Sequence, residues 1–160
     1  MKVATTRFGE MEIPDGLVIQ VPEGILGFPN DRRYVVLEHD TEDTPFKWLQ
    51  SVDSRQLAFI VIDPRHILPD YRLEFDEETV AEFGSIVPDA FIPMVIVNVP
   101  KDRPIEMTAN LKAPIIVHET KRVGRQIILR TQDYSLTHRI FPEDESERVG
   151  ADQAAAARTA

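Results

Sequence analysis

The sequence predicts a mainly β protein, a small antiparallel β-barrel of short strands with one short helix near residues 77–83. Three observations point there. Short apolar runs rich in β-branched and aromatic residues recur along the chain, Gly and Pro turn signals separate them at close intervals, and a single stretch reads as helix. The most informative run is PFKWLQSVDSRQLAFIVIDP, residues 45–64. In it Phe46–Val52 alternates loosely, with Phe46, Trp48 and Val52 on one side and Lys47 and Ser51 on the other. Leu57–Asp63 is apolar on both faces, and Asp53-Ser54-Arg55-Gln56 links the two. The pair reads as an antiparallel hairpin whose second strand is buried on both sides at the centre of the sheet. Gln50 and Ser51 are polar residues in an otherwise apolar pair, expected to be satisfied structural groups. Trp48 and Phe59 are expected to fill the interior of so small a barrel.

The remaining elements follow in order. Val3–Phe8, Met11–Ile13 and Leu17–Val21 read as strands joined at Gly9 and at Pro14-Asp15-Gly16. Pro22–Asn30 is an apolar loop with two glycines and two prolines. Its Ile25, Leu26 and Phe28 read first as a plug for one end of the barrel. If they are not a plug, they are apolar surface for a partner. Tyr34–Glu38 is a further strand before the acidic turn Glu38–Asp43. After the hairpin, Asp76 caps a helix over Glu77–Phe83 that carries acids in its first turn and stops at Gly84. Phe91–Val99 is a strand in which Pro93 marks an edge or a bulge. Ile105–Leu111, Ala113–Glu119 and Gln126–Thr131 complete the set, with a turn over Thr120–Gly124. The domain is placed at residues 1–142. Residues 143–160, acidic and then alanine-rich, read as a disordered or weakly helical tail.

Composition narrows the function. The 160 residues are 42% hydrophobic, enough to bury a core without staples. With no cysteine there is no disulfide, thiol catalysis or cysteine-ligated metal, which suits a reducing compartment. No segment has signal-peptide or membrane-spanning character, so a soluble, cytoplasmic protein is expected. A formal charge of −9 argues against direct nucleic-acid binding and leaves room for a basic protein partner. The charge is uneven. Asp70, Glu74, Asp76, Glu77, Glu78 and Glu82 face only Arg72 between residues 70 and 83, whereas residues 101–139 carry a net +4.

Catalytic patterns are missing from the sequence. His39, His66, His118 and His138 have no paired spacing, and Arg122 stands where a second metalloprotease histidine would follow His118-Glu119. Gly24-x-x-Gly27 lacks the Lys and Ser/Thr of a phosphate loop, and no serine sits in a nucleophile elbow. Carboxylate pairs such as Asp40/Asp43 and Glu77/Glu78 fall in solvated turns where nothing would raise a pKa. No cofactor and no enzymatic activity are expected. Three polar stretches, Asp63–His66, Pro69-Asp70-Tyr71 and Thr108–Leu111, read first as structure and second as partner contacts. In them Asp63 and Asn110 satisfy turn backbone, and Tyr71 is a half-buried core aromatic.

Six stretches together resemble the flagellar assembly factor FliW family. They are Gly27-Phe28; Pro45-Phe46 with Leu49-Gln50-Ser51-Val52; Ala58-Phe59-Ile60-Val61 leading to Pro64; Pro69-Asp70-Tyr71; Thr108-Ala109-Asn110-Leu111 with Ala113-Pro114-Ile115; and Gly124 with Gln126-Ile127-Ile128-Leu129. They occur in the family's order over residues 1–141. Leu26 stands where the family usually has proline, and His118 where it often has asparagine. The resemblance implies a non-enzymatic β-barrel that binds the translational repressor CsrA and flagellin, coupling flagellin translation to assembly by partner switching. On that reading Asp70, Tyr71, Glu74, Glu77, Glu78 and Asn110 are candidate partner contacts. The acidic members would draw in CsrA, while Ile25, Leu26 and Phe28 would offer apolar surface to flagellin. A small-ligand-binding barrel unrelated to flagella, whose lumen would be empty, and an enzyme with a shallow carboxylate site are the alternatives.

Overall fold

A computed structural model describes residues 1–38, 44–74, 77, 81 and 90–141. The acidic turn beyond Glu38, the tail after Phe141 and Glu78 lie outside the described residues. Of the helix expected over 77–83, Glu77 and Ala81 are described, and both are helical.

The strands are β1 (Lys2–Thr5), β2 (Gly9–Glu12), β3 (Ile19–Gln20), β4 (Arg33–Glu38), β5 (Lys47–Ser51), β6 (Ala58–Ile62), β7 (Phe91–Asn98), β8 (Thr108–Ala109), β9 (Ile115–His118), β10 (Val123–Gln126) and β11 (His138–Arg139). Strands β3, β4, β5, β6, β7, β9 and β10 pair in a closed ring. The hairpin β1–β2 stands apart, and β8 with β11 extends the far half of β7. The fold is the expected barrel, with one departure: β3 and β10 meet in parallel, at Val123 and Gln20.

Three apolar clusters explain why so many strands are apolar on both faces. The first fills the barrel, with Ile19, Tyr34, Leu49, Val61, Met94, Ile115 and Val117 pointing inward from six strands. On β10 the inward position is Gly124, where a Cβ would come within 3.3 Å of the side chains of Ile19 and Val117. The second cluster lies outside β6, β7 and β9 and joins Val95, Val97 and Ile116 to Tyr71, Leu111, Ile127 and Leu129. The third lies outside β4 and β5, where β1–β2 sets Val3 and Ile13 on Val35, Leu37 and Trp48. Each large side chain buried in these layers contributes roughly 1.5–3 kcal/mol.

Trp48 is therefore not a lumen filler. It packs outside the barrel beneath the N-terminal hairpin, with the Arg7 guanidinium 4.0 Å above its ring. Phe59 does face the interior, at its half-buried edge. The more deeply buried strand of the central hairpin is β5, not β6, because both faces of β5 are covered. Its two polar residues are fully tied down. The Gln50 Nε2 donates to the carbonyls of Ser51, Ser54, Arg55 and Leu57 at 3.0–3.3 Å. The Ser51 Oγ donates to Asp31 at 2.8 Å and accepts from the amides of Asp53 and Ser54.

Several boundaries shift for local reasons. β1 ends at Thr5, whose hydroxyl accepts from the Phe8 amide and donates to the Gly9 carbonyl, closing the turn. Leu17 belongs to a 3-10 turn over Asp15–Leu17 rather than to a strand. Pro104 starts another such turn over Pro104–Glu106, so only Thr108–Ala109 of the expected Ile105–Leu111 strand is formed. The last barrel strand begins at Val123 rather than Gln126 and ends where residues 127–131 leave the sheet. Pro93 sits opposite Ile116 in the half of β7 that β6 no longer reaches, since β6 ends at Ile62 opposite Val95. A residue without an N–H is tolerated at such an edge.

Candidate functional site

One end of the barrel is shaped as an open mouth. It is a groove of about 300 Å³ lined by Leu26, Phe59, Ile96, Asn98, Thr108, Asn110, Gln126 and Leu136. Leu26 and Leu136 are 62% and 58% exposed, and Phe28 stands beside them with its ring edge-on to Phe59 at 5.4 Å. Among the described residues no charged side chain lines the groove.

The loop that presents Leu26 is held by its backbone. The Phe28 amide donates to the Ile25 carbonyl at 2.6 Å, and Gly27 takes φ +90°, the third-position conformation a type II turn requires. Gly24, at φ +70°, passes so close to the next turn that a Cβ would lie 2.5 Å from the Phe28 carbonyl oxygen. Leu26 occupies the turn's second position, which proline favours, but its own amide donates to the Gln126 Oε1 at 2.8 Å. A proline there could not make that bond. Gln126 in turn donates to the Ala113 carbonyl at 3.0 Å, and the Asn110 Oδ1 accepts from the Ala113 amide at 3.0 Å. Two amide side chains thus brace the rim and leave leucines exposed between them.

The sequence-predicted residues divide accordingly. Leu26 and Asn110, 84 positions apart, meet in the groove, and Phe28 lies at its edge. Ile25 is 2% exposed and packs into the barrel interior, so it is a plug and offers nothing to a partner. Tyr71 is also buried. Its hydroxyl donates to the Leu111 carbonyl at 2.7 Å and its ring lies 4.5 Å from Tyr134. Burial, with Tyr134 alongside, pushes its pKa well above the ordinary tyrosine value. Asp70, Glu74 and Glu77 are exposed around this anchor, and the Arg72 amide is fixed to the Tyr134 hydroxyl at 2.9 Å. The acidic strap therefore rides on the second cluster, while the mouth opens from the first. Sequence reasoning missed Leu136 and Gln126, because no local pattern brings residues 126 and 136 to residue 26.

The other polar stretch is structural. Asp63 caps the 3-10 turn Pro64–His66 by accepting from the Arg65 amide at 2.9 Å, and it also binds the Arg65 guanidinium. Burial pushes its pKa up, but the bonds from Arg65 outweigh that and leave it below the usual value. Among the described residues no group of His, Asp or Glu could hold a metal ion. No helix there is long and apolar enough to cross a membrane.

The sequence profile described as FliW protein matches residues 2–140 of the chain. The chain belongs to the FliW family. A flagellar assembly factor FliW from Caldanaerobacter subterraneus subsp. tengcongensis is 41% identical over 143 residues, covering 89% of this chain and 95% of that protein. The one from Ruminiclostridium cellulolyticum is 39% identical over 149 residues, 93% of this chain and all of that protein. A crystal structure of the flagellar assembly factor FliW superposes with a TM-score of 0.80 at 34% identity and covers 90% of this chain. Against the FliW pattern, the two departures have local answers. The Leu26 amide gains the Gln126 bond. The His118 Nδ1 accepts from the Lys121 amide at 3.0 Å, a turn contact that an asparagine oxygen can also make.

Proposed function

We propose that the protein is a non-enzymatic flagellar assembly factor that works by partner switching. It binds the translational repressor CsrA and flagellin in turn, so that unsecreted flagellin frees CsrA to repress. The observation that carries this reading is the match to FliW proteins over nearly their whole length. The surface suits a binder. The acidic strap at Asp70, Glu74 and Glu77 is exposed and offers long-range attraction to a basic RNA-binding partner. The uncharged mouth with Leu26, Phe28 and Leu136 suits the apolar stripe of an amphipathic flagellin segment. A small-ligand barrel is disfavoured because Tyr34, Leu49, Met94 and Ile115 pack the interior.

Mutual displacement tests the proposal. Immobilised protein should retain CsrA and flagellin separately, and excess of either should release the other. One competitor at a hundred times its dissociation constant costs the other about 2.7 kcal/mol of apparent affinity. Retention of neither partner would defeat the reading. Reversal of Glu74, Glu77 and Glu78 to lysine should slow CsrA association at low salt and flatten its salt dependence. Unchanged kinetics would remove the strap from the mechanism.

A further inference from the structure

We propose that Arg7 and Arg55 form a binding site for a single phosphoryl group, in the cleft between the β1–β2 hairpin and the β5–β6 turn. The cleft is lined by Thr6, Arg7, Gln50, Arg55, Gln56 and Ala58. Its volume of about 90 Å³ leaves room for a group the size of one phosphoryl.

Charge around the cleft points to an anion. On the hairpin, Glu10 is paired with Lys2, and Glu12 with the Met1 ammonium. On the turn, Asp53 is paired with Arg33. Arg7 and Arg55 are left over, both exposed and neither with a carboxylate partner among the described residues. In a chain of net charge −9, two unneutralised guanidinium groups in one small cleft are the exception.

The Arg7 side chain and the Arg55 backbone are also held in place. The Arg7 guanidinium sits over the Trp48 ring, 4.0 Å from its centre, a contact that positions the side chain. The backbone of Arg55 is fixed because its carbonyl accepts from the Thr6 amide at 2.9 Å and from the Gln50 Nε2 at 3.2 Å. That bond also ties the two walls together. The lining residues carry two guanidinium forks, the Thr6 hydroxyl and the Gln56 amide, a donor set that suits a tetrahedral dianion better than a flat carboxylate. The acidity of the rest of the surface would repel a polyanion, so the ligand class is inorganic phosphate or a small phosphomonoester.

The test is an amide chemical-shift titration of the full chain at constant ionic strength. Inorganic phosphate, O-phosphoserine and acetate are added separately against chloride. Saturable shifts at Thr6, Arg7 and Gln56 with phosphate or phosphoserine, weakened roughly tenfold in Arg55→Gln, are expected. Arg7→Lys keeps the charge over Trp48 but loses the fork, and should weaken binding while leaving the rest of the spectrum intact. Arg32→Gln, on the opposite loop, should bind as the parent does. A tighter response to phosphoserine than to inorganic phosphate assigns the ester as the ligand, and the reverse assigns the free anion. Linear shifts, an equal response to acetate, or an unaltered response in Arg55→Gln would overturn the site.

Discussion

The β5–β6 turn and the Leu26 mouth are built with the same device and end in opposite states. At the turn, Gln50 spends its amide on four carbonyls, Ser51 satisfies two amides and a carboxylate, and both side chains are buried. At the mouth, Gln126 and Asn110 likewise satisfy backbone groups, yet the leucines between them face solvent. A polar residue inside an apolar strand is thus no mark of a site by itself. The mark is apolar surface left uncovered beside polar groups that are already occupied.

The largest expected effect probes the turn. Gln50→Ala should cost about 3 kcal/mol in urea unfolding, because four carbonyls lose a shared donor in a buried place. Gln126→Ala should cost about 1 kcal/mol, because its loss is felt at a wet rim. Equal costs would erase the contrast between the two regions. Next, Tyr71→Phe removes the buried bond to Leu111, the residue after Asn110, and should cost about 1–2 kcal/mol by the same measurement.

A smaller effect appears in acid. Because the Asp63 carboxyl titrates below its ordinary value, its capping contribution is complete above the unfolded pKa of about 4. It is lost as pH falls through the depressed native value. The acid limb of a stability–pH curve should therefore be flatter in Asp63→Asn than in the parent. Smallest in stability is the mouth itself. Leu26→Asp should shift unfolding by less than about 0.5 kcal/mol, since the side chain is exposed, while abolishing retention of flagellin. Retained binding would make the mouth a mere barrel end.

Much of the fold was legible in the sequence because the signals were local. Alternation and the 53–56 link mark the central hairpin, and Gly24, Gly27 and two prolines mark the loop. What covers the outer faces was not legible. Periodicity shows that Trp48 lies on an apolar face, but only tertiary pairing shows that this face is roofed by Val3 and Ile13. For the same reason the two-residue strand β11, too short to carry a pattern, was missed, and β8 was read as part of a longer strand over Ile105–Leu111. The candidate site was half visible: Leu26, Phe28 and Asn110 stood out by type, whereas Leu136 and Gln126 reach the mouth through pairings over long sequence separations.

The parallel contact of Gln20 with Val123 has a consequence for biosynthesis. It is the seam by which the ring closes, and it joins a two-residue strand near the start of the chain to one made about a hundred residues later. Until Val123 leaves the ribosome, β3 is an unpaired border and the nascent chain is an open sheet. Closure is thus a late event with a long loop to span, and a truncated product lacking β10 would present that border to other chains.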